Sequence, residues 1–307
     1  MNHLSPDALA NALAFITEHA RPLERAVAAH TMGVGGPGAV LDALSGFLQA
    51  DGGFGGGLEP DLQLAGSSVL ATTVVLQHLR AVGADDHDPR VVKAMGYLAR
   101  TWEPGLGSWP LVPPNTDDAP HAPWWTVNDD FAASWRGFQG NPKPEVASYL
   151  LTWPRLAPAG LAEVPAQCVA WLEAWEGEVE MHDLSCFVRL LETPALPKPL
   201  AARLLARLTP AVEAAVATSP ERWAAYGLQP LEVASSPASP FAELLAEPLA
   251  ANLDWLISQQ GADGAWAPSW SWFGMYDEAW PVAERAWKGI LTVKALGRLQ
   301  AFGRLPG

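Results

Sequence analysis

The chain has 307 residues, of which 49% are hydrophobic and 17% charged, and its formal net charge is −14. This composition is that of a folded globular protein with a sizeable core, and it excludes a disordered chain. The surplus of acidic residues argues against a nucleic-acid partner. The few basic residues argue against a cradle for several phosphates.

The N-terminal residues and the cysteines predict where the protein resides. Met1 to Asp7 contain no cationic segment followed by a long apolar stretch, so we expect no signal peptide. No run approaches the roughly 18 apolar residues of a spanning helix, which leaves room only for peripheral membrane contact. Cys168 and Cys186 form no C-x-x-C pair, which favours a reduced, cytoplasmic protein.

Apolar periodicity predicts a series of helices and no run of alternating strand residues. Ser5 with Pro6 starts the first helix, and Asp88 with Pro89 starts a later one. A proline-rich loop over 103–125 is long enough to indicate a functional segment. The predicted helices are 8–19, 39–50, 67–82, the helix after Pro89, 128–139, 144–151, 164–176, 182–191, 199–217, 241–260 and 280–302, with a second irregular stretch at 220–240.

A small motif occurs twice, each time after a predicted helix. One copy covers Gln49 to Gly55 and the other Gln260 to Trp266, and both have Gln, a spacer, Asp-Gly, a small residue and an aromatic residue. A degenerate third copy ends in residues 105–109. A repeated helix-then-turn unit predicts a fold built from stacked helical hairpins. The fold class is therefore all-α, as a closed ring or an open solenoid.

These turns resemble the repeat shared by squalene–hopene-type cyclases and the β-subunits of protein prenyltransferases. The resemblance implies a single α/α toroid over residues 1–307, an inner ring of helices inside an outer ring. It also implies an active site in the lumen of the inner ring, where aromatic side chains would line the wall. It does not determine the function, because one fold hosts many chemistries.

The segment from Asn115 to Ala119 carries paired carboxylates. Proton-initiated terpene cyclases have an Asp-x-Asp-Asp loop whose middle Asp is the general acid. By resemblance, Asp117 matches that acid and Asp118 the next Asp, whereas Asn115 departs from the pattern. A clustered, desolvated carboxyl would hold a proton and could protonate an alkene or an epoxide. The alternative is that Asn-Thr-Asp-Asp is turn chemistry in a proline-rich loop.

Two further segments predict site residues. Glu59 and Asp61 follow a glycine-rich turn, where a ligand could approach closely, although either carboxylate could instead cap the next helix. His121 lies between prolines and precedes Trp124 and Trp125. The imidazole could relay a proton to or from the acid, and the tryptophans could stabilise a cation or plug the ring.

The remaining aromatic residues form the rest of the predicted substrate site. They are Phe54, Trp109, Trp270 and Trp272. Loop tryptophans line a cavity with π faces or staple neighbouring hairpins together, and the sequence leaves both roles open.

We expect no cofactor and no metal. His182 and Cys186 share a helical face, a spacing able to seat a metal, but a buried thiol and a hydrogen-bonded histidine explain them more simply. The zinc site of prenyltransferases includes an Asp-x-Cys segment, which this chain lacks. The acidic residues at 85–88 resemble a magnesium motif, yet Asp88 there caps a helix.

Three functions follow from these patterns. The first is a terpenoid-cyclase-like enzyme, an isomerase or lyase that binds an apolar isoprenoid in an aromatic-lined lumen. The second is a non-catalytic toroid that binds a partner through its long loops. The third is a carbohydrate-active enzyme with paired carboxylates from Glu59, Asp61, Asp117 and Asp118. We favour the first.

Overall fold

The computed structural model describes residues 2–128 and 140–306. The chain divides into two compact units: a terminal unit (Met1–Ala43 and Val216–Gly307) and a central unit (Leu44–Ala215). Helices dominate both units, and the only sheet in the described ranges pairs β1 (Phe54–Gly55) with β2 (Ser67–Ser68). The all-α prediction is confirmed. Closure into a single toroid over residues 1–307 stays a prediction.

The helices begin and end as follows. They are α1 (Pro6–His19), α2 (Pro22–Thr31), α3 (Pro37–Ser45), α4 (Val69–Ala81), α5 (Pro89–Thr101), α6 (Lys143–Thr152), α7 (Val164–Ala174), α8 (Met181–Leu191), α9 (Lys198–Ala215), α10 (Pro220–Trp223), α11 (Pro230–Val233), α12 (Ala246–Ser258) and α13 (Trp280–Ala301). Three short 3₁₀ turns lie at Thr116–Asp118, Pro123–Trp125 and Ala159–Leu161. None of the helices in the described ranges is long and apolar enough to cross a membrane.

The central unit is a two-layer array of helical hairpins. The hairpins are α4 with α5, α6 with α7, and α8 with α9. In one layer α6 lies between α4 and α8, and in the other α7 packs on α9. Apart from α5, which packs on α4, each of these helices contacts its hairpin partner and the equivalent helix of a neighbouring hairpin, as a stacked repeat requires.

The terminal unit packs α13 against α1 and α2, and α11 against α12. Gly289 permits the close approach of α13 to the end of α1 and the start of α2, since a Cβ there would lie 3.2 Å from the Cβ of Ala20 and 3.5 Å from the Cγ of Glu24. The two ends of the chain meet in this unit. The N–H of Leu4 donates to the carbonyl of Arg304 (2.9 Å), and the Arg304 guanidinium binds Asp254 at 2.7 Å.

The predicted helix starts are present in the structure. The hydroxyl of Ser5 accepts from the N–H of Ala8, and the Asp88 carboxylate accepts from the N–H of Arg90. These bonds satisfy amide groups that a helix leaves unpaired at its N-terminus.

The two full copies of the repeated turn fold alike. In the first copy the Asp51 carboxylate accepts from the N–H of Gly53, and the N–H of Phe54 donates to the hydroxyl of Thr72 at 3.1 Å. Thr72 lies on α4 and donates in turn to the carbonyl of Ser68. The hydroxyl thus links the turn to the first part of the following helix.

The second copy repeats these bonds. The Asp263 carboxylate accepts from the N–H of Ala265, and the N–H of Trp266 donates to the hydroxyl of Thr292 on α13 at 3.1 Å. Thr292 donates to the carbonyl of Lys288, four residues earlier. The glycines after the two aspartates, Gly52 and Gly264, share a φ of +84°. The sequence repeat is therefore also a structural repeat.

Several boundaries differ from the predictions. The helix α2 is not among the predicted helices, and Arg21, the residue before it, makes no capping bond through its side chain. The helix predicted over 39–50 starts at Pro37 and ends at Ser45, because residues 49–55 form the repeat turn. The stretch 220–240, predicted to be irregular, contains the single-turn helices α10 and α11. The helix predicted over 128–139 falls outside the described residues, apart from Asn128.

Candidate active site

Two segments that were predicted separately lie side by side in the central unit. The N–H of Ala122 donates to the carbonyl of Asp61 at 2.8 Å, and His121 pairs with Leu62 in an isolated antiparallel bridge. The carboxylate-bearing turn of Glu59 and Asp61 and the histidine loop therefore form one structure, which we call the His121 loop (residues 59–63 and 115–127).

The imidazole of His121 is buried and held at both nitrogens. Its Nδ1 lies 2.7 Å from the carbonyl oxygen of Ala119, and its Nε2 lies 3.2 Å from the hydroxyl of Thr126. Because a carbonyl can only accept, Nδ1 carries the hydrogen. In the neutral ring Nε2 is then the acceptor, and it is the atom at which His121 can gain a second proton.

The Asp117 carboxylate faces that nitrogen. Its Oδ1 lies 3.4 Å from Nε2 of His121 and also accepts the N–H of Val127 at 3.0 Å. The Asp117 side chain is 47% exposed, whereas that of His121 is 1% exposed. Asp117 therefore lies at the surface in front of a buried base, and it is not the desolvated carboxyl that its sequence context predicts. The pair can pass a proton between solvent and Nε2.

The other predicted carboxylates have different surroundings. Asp118 is exposed next to Asp117. Asp61 is buried, and its N–H lies 3.4 Å from Oε1 of Glu59, a partly buried residue. Glu59 and Asp61 thus lie beside the histidine through the backbone pairing, and Asp118 lies on the outer side of the loop.

The predicted substrate-binding aromatic residues fall into three groups. Trp125 packs on an apolar cluster of Leu62, Leu64, Leu111 and Val112, and Trp124 is 40% exposed on the same loop. Phe54 and Trp109 are fully buried in the repeat turns of the central unit. Trp270 and Trp272 belong to the terminal unit, where Trp270 is partly buried and Trp272 is fully buried. Their role in binding substrate stays a prediction.

A buried charged network in the central unit was missed by the sequence analysis. Glu145 of α6 accepts from the hydroxyl of Tyr149 (2.6 Å) and the amide of Gln77 (2.8 Å), and Arg189 binds its other oxygen at 3.0 Å. Burial by itself would raise the pKa of Glu145, but Arg189, Tyr149, Gln77 and Arg80 together outweigh it and lower the pKa. Glu145 is therefore ionised, with its acceptor atoms satisfied by the protein.

The signal for this network was present in the sequence. The helix α4 is mostly apolar, and Gln77 and Arg80 are polar residues three apart within it. Glu145 and Tyr149 are four apart on another buried helix. Polar residues at helical spacing inside an apolar helix predict a satisfied polar cluster between helices, because an unpaired charge there would be too costly.

His182 and Cys186 do not face a common metal position. His182 is exposed and its Nδ1 lies 2.8 Å from Oε1 of Glu180, while the buried Cys186 thiol points to Glu145 at 3.7 Å. Within residues 2–128 and 140–306, no group of three or more His, Cys, Asp and Glu side chains is arranged to hold a metal ion.

Asp183, between these two residues, is a carboxyl that the sequence analysis did not single out. It lies in the first turn of α8 and is partly buried. Burial, with the charge of Glu180 adding to it and His182 opposing it, raises the pKa of Asp183 to about 7. Asp183 therefore holds a proton near neutral pH, a property that its neighbours in sequence did not reveal.

Neither a protein-family model nor a curated protein sequence matches this chain.

Proposed function

We propose that this protein is an enzyme of the terpenoid-cyclase type, which acts on an apolar isoprenoid by proton-initiated chemistry. The observation that carries the proposal is the pair formed by Asp117 and His121, with 3.4 Å between Oδ1 and Nε2. A half-exposed carboxylate backed by a buried, oriented imidazole is an arrangement suited to general acid–base chemistry. A cytoplasmic location is part of the proposal, supported by the free thiols of Cys168 and Cys186.

Each group has a defined part in the proposed reaction. Asp117, when protonated, gives its proton to one carbon of an alkene or to the oxygen of an epoxide, which leaves a carbocation. The faces of Trp124 and Trp125 stabilise that cation. Loss of a proton from a neighbouring carbon completes the isomer, or water adds and gives an alcohol. His121, whose Nδ1 hydrogen faces the carbonyl of Ala119, takes up at Nε2 the proton that the carbon or the added water releases, and then passes it back to Asp117.

The repeat supports the same class of protein. The turns at Asp51 and Asp263 share their hydrogen bonds to a threonine of the following helix. The central unit also stacks hairpins in two layers. Both features agree with the resemblance to the cyclase and prenyltransferase repeat, which is what suggests an apolar substrate.

The test is solvent-proton incorporation. Linear isoprenoid alkenes and terminal epoxides are incubated with the protein in deuterated water, and products are analysed by gas chromatography and mass spectrometry. An alkene cyclised by proton addition should gain one deuterium. Asp117→Asn should lower turnover by about 10²–10⁴-fold, which is the usual share of a general acid. Asp118→Asn is the matched control, because it removes the same charge from the exposed neighbouring position.

Two outcomes would count against the proposal. Undiminished turnover in Asp117→Asn would show that this carboxyl is not the acid. Product without deuterium would show that the reaction does not begin with proton addition to an alkene.

A second function has one specific observation in its favour. Oδ1 of Asp117 accepts the N–H of Val127, so the carboxylate also holds the loop closed. In a non-catalytic binding protein this would be its whole role. Asp117→Ala would then lower the free energy of unfolding by about 0.5–1.5 kcal/mol, because it removes the acceptor. Neither the parent nor the variant would convert any isoprenoid in the panel.

A further inference from the structure

Four tryptophans of the terminal unit pair along the first turns of α13. Trp280 and Trp287 lie on the helix, and Trp272 and Trp270 lie on the preceding loop. The ring centroids are 5.8 Å apart for Trp272 and Trp280, and 5.1 Å apart for Trp270 and Trp287. The loop that carries Trp270 and Trp272 therefore runs beside α13, and the two aromatic pairs lie two helical turns apart.

One pair extends into an aromatic corner. Tyr226 lies 5.9 Å from Trp270 at 76°, and Trp287 meets Trp270 at 80°. Tyr226 and Trp287 thus both stand nearly perpendicular to Trp270. Tyr226 is 58% exposed, so the corner is open to solvent. Rings set at right angles offer π faces and edges to one small ligand, which a stacked pair would not do.

Glu284 lies on the helix between the two aromatic pairs. It follows Trp280 by four residues and precedes Trp287 by three, so the three side chains share one face of α13. Glu284 is partly buried, and no other residue in the ranges 2–128 and 140–306 forms a hydrogen bond or ion pair with its carboxylate. The nearby ammonium group of Lys288 is bound to Asp263 at 2.8 Å.

We infer that this cluster, Glu284 with Trp270, Trp280, Trp287 and Tyr226, binds a quaternary ammonium ligand. The carboxylate of Glu284 has no cation as its partner in the part of the chain that the structure describes, and it would attract a positively charged ligand by Coulomb interaction. The aromatic rings around it would add cation–π contacts to the same ligand. A quaternary ammonium has no N–H to satisfy, so one carboxylate suffices, whereas a primary ammonium would need three acceptors. The methyl groups meanwhile bury apolar surface against the rings.

The net charge of the chain favours the same guest. At −14 the protein attracts small cations over its surface, and the cluster supplies the local selectivity for an alkylated one. The cluster belongs to the terminal unit and the His121 loop to the central unit. The inference therefore goes beyond the proposed catalysis and does not depend on it.

The test is a titration with tetramethylammonium chloride, followed by calorimetry and by tryptophan fluorescence. We expect saturable binding in the millimolar to sub-millimolar range, as a few cation–π contacts allow. Neopentyl alcohol, an uncharged compound of nearly the same shape, should bind at least about 10-fold more weakly, because it keeps the apolar contacts and lacks the charge. Choline and Nε-trimethyllysine then distinguish a headgroup-like source of the cation from a methylated side chain.

The variants separate the charge from the fold. Glu284→Gln keeps the shape of the helix face and should weaken tetramethylammonium binding by about 5-fold or more. Glu278→Gln removes the same charge from an exposed loop position and should leave binding unchanged. Equal binding by Glu284→Gln and the parent would overturn the inference. So would equal binding of neopentyl alcohol, or no saturable binding of tetramethylammonium.

Discussion

Replacing Asp183 by Asn should make the protein more stable at neutral and alkaline pH. In the unfolded chain this carboxyl has a pKa near 3.8, and in the folded protein burial raises the pKa to about 7. Between these values the unfolded chain releases the proton and the folded protein keeps it. The stability of the parent therefore falls as the pH rises from about 4 to about 7 and is level above that. Asn does not titrate, so the variant lacks this decline.

The size of the effect follows from the shift. Three pKa units at about 1.4 kcal/mol each correspond to about 4 kcal/mol. Partial exposure of the side chain reduces this, so we expect the gain of the variant over the parent to be about 2–3 kcal/mol larger at about pH 8 than at about pH 4. Urea unfolding of the variant and the parent at both pH values measures this difference.

A second uncharged replacement separates the loss of the titrating group from the change in side-chain shape. Asp183→Ser should have a different baseline stability and the same dependence on pH as Asp183→Asn. If the difference in free energy of unfolding between variant and parent is the same at both pH values, then the pKa of Asp183 is not raised and the argument from its burial is wrong.

Three further tests probe the fold. Thr72→Val should lower the free energy of unfolding in urea by about 1–3 kcal/mol, because it leaves the buried N–H of Phe54 in the repeat turn without an acceptor. The control Thr73→Val removes only a hydroxyl that donates to a helix carbonyl and should lower it by less than about 1 kcal/mol. Equal losses in the two variants would contradict the role of Thr72. Gly264→Ala should lower the melting temperature more than Gly52→Ala, since both share a φ of +84° but only at Gly264 would the new Cβ overlap a backbone carbonyl. Glu145→Gln should destabilise by about 3–5 kcal/mol at neutral pH. Because the pKa of Glu145 is lowered in the folded protein, the ionised carboxylate stabilises the fold above the unfolded pKa of 4.5, and this stabilisation is lost as the pH falls through the lowered pKa. The difference in free energy of unfolding between variant and parent should therefore become small in acid.

Features encoded within a few residues were predictable from the sequence. The caps at Ser5 and Asp88 follow from one residue type beside a proline, and the repeat turn follows from its Asp-Gly pair. The contact of Asp117 with His121 is of the same kind, since the two are four residues apart in a short loop. In each case the partners are so close in sequence that local geometry brings them together.

Features that depend on distant partners were not predictable. Glu145 binds Gln77 and Arg189, which lie 68 residues before it and 44 after it. The pairing of Asp61 with Ala122 joins segments that the sequence keeps far apart. Nothing in either segment specifies its partner, because the pairing depends on how whole hairpins stack. The exposure of Asp117 was missed for the same reason.

The indole N–H groups suggest why a chain with only five lysines carries 15 tryptophans. The indoles of Trp109 and Trp266 donate to the carbonyls of Leu98 and Leu256, which lie in the last turns of α5 and α12. Lysine and arginine commonly provide such donors at helix C-termini, but they keep a charge that must stay hydrated. An indole donates one hydrogen bond and is otherwise apolar, so it can bind a carbonyl at the end of a helix while it is buried in the core. The last turn of α12 contains no basic residue, so there the indole of Trp266 does by itself what a cation does at other helix ends and adds no positive charge to an acidic protein.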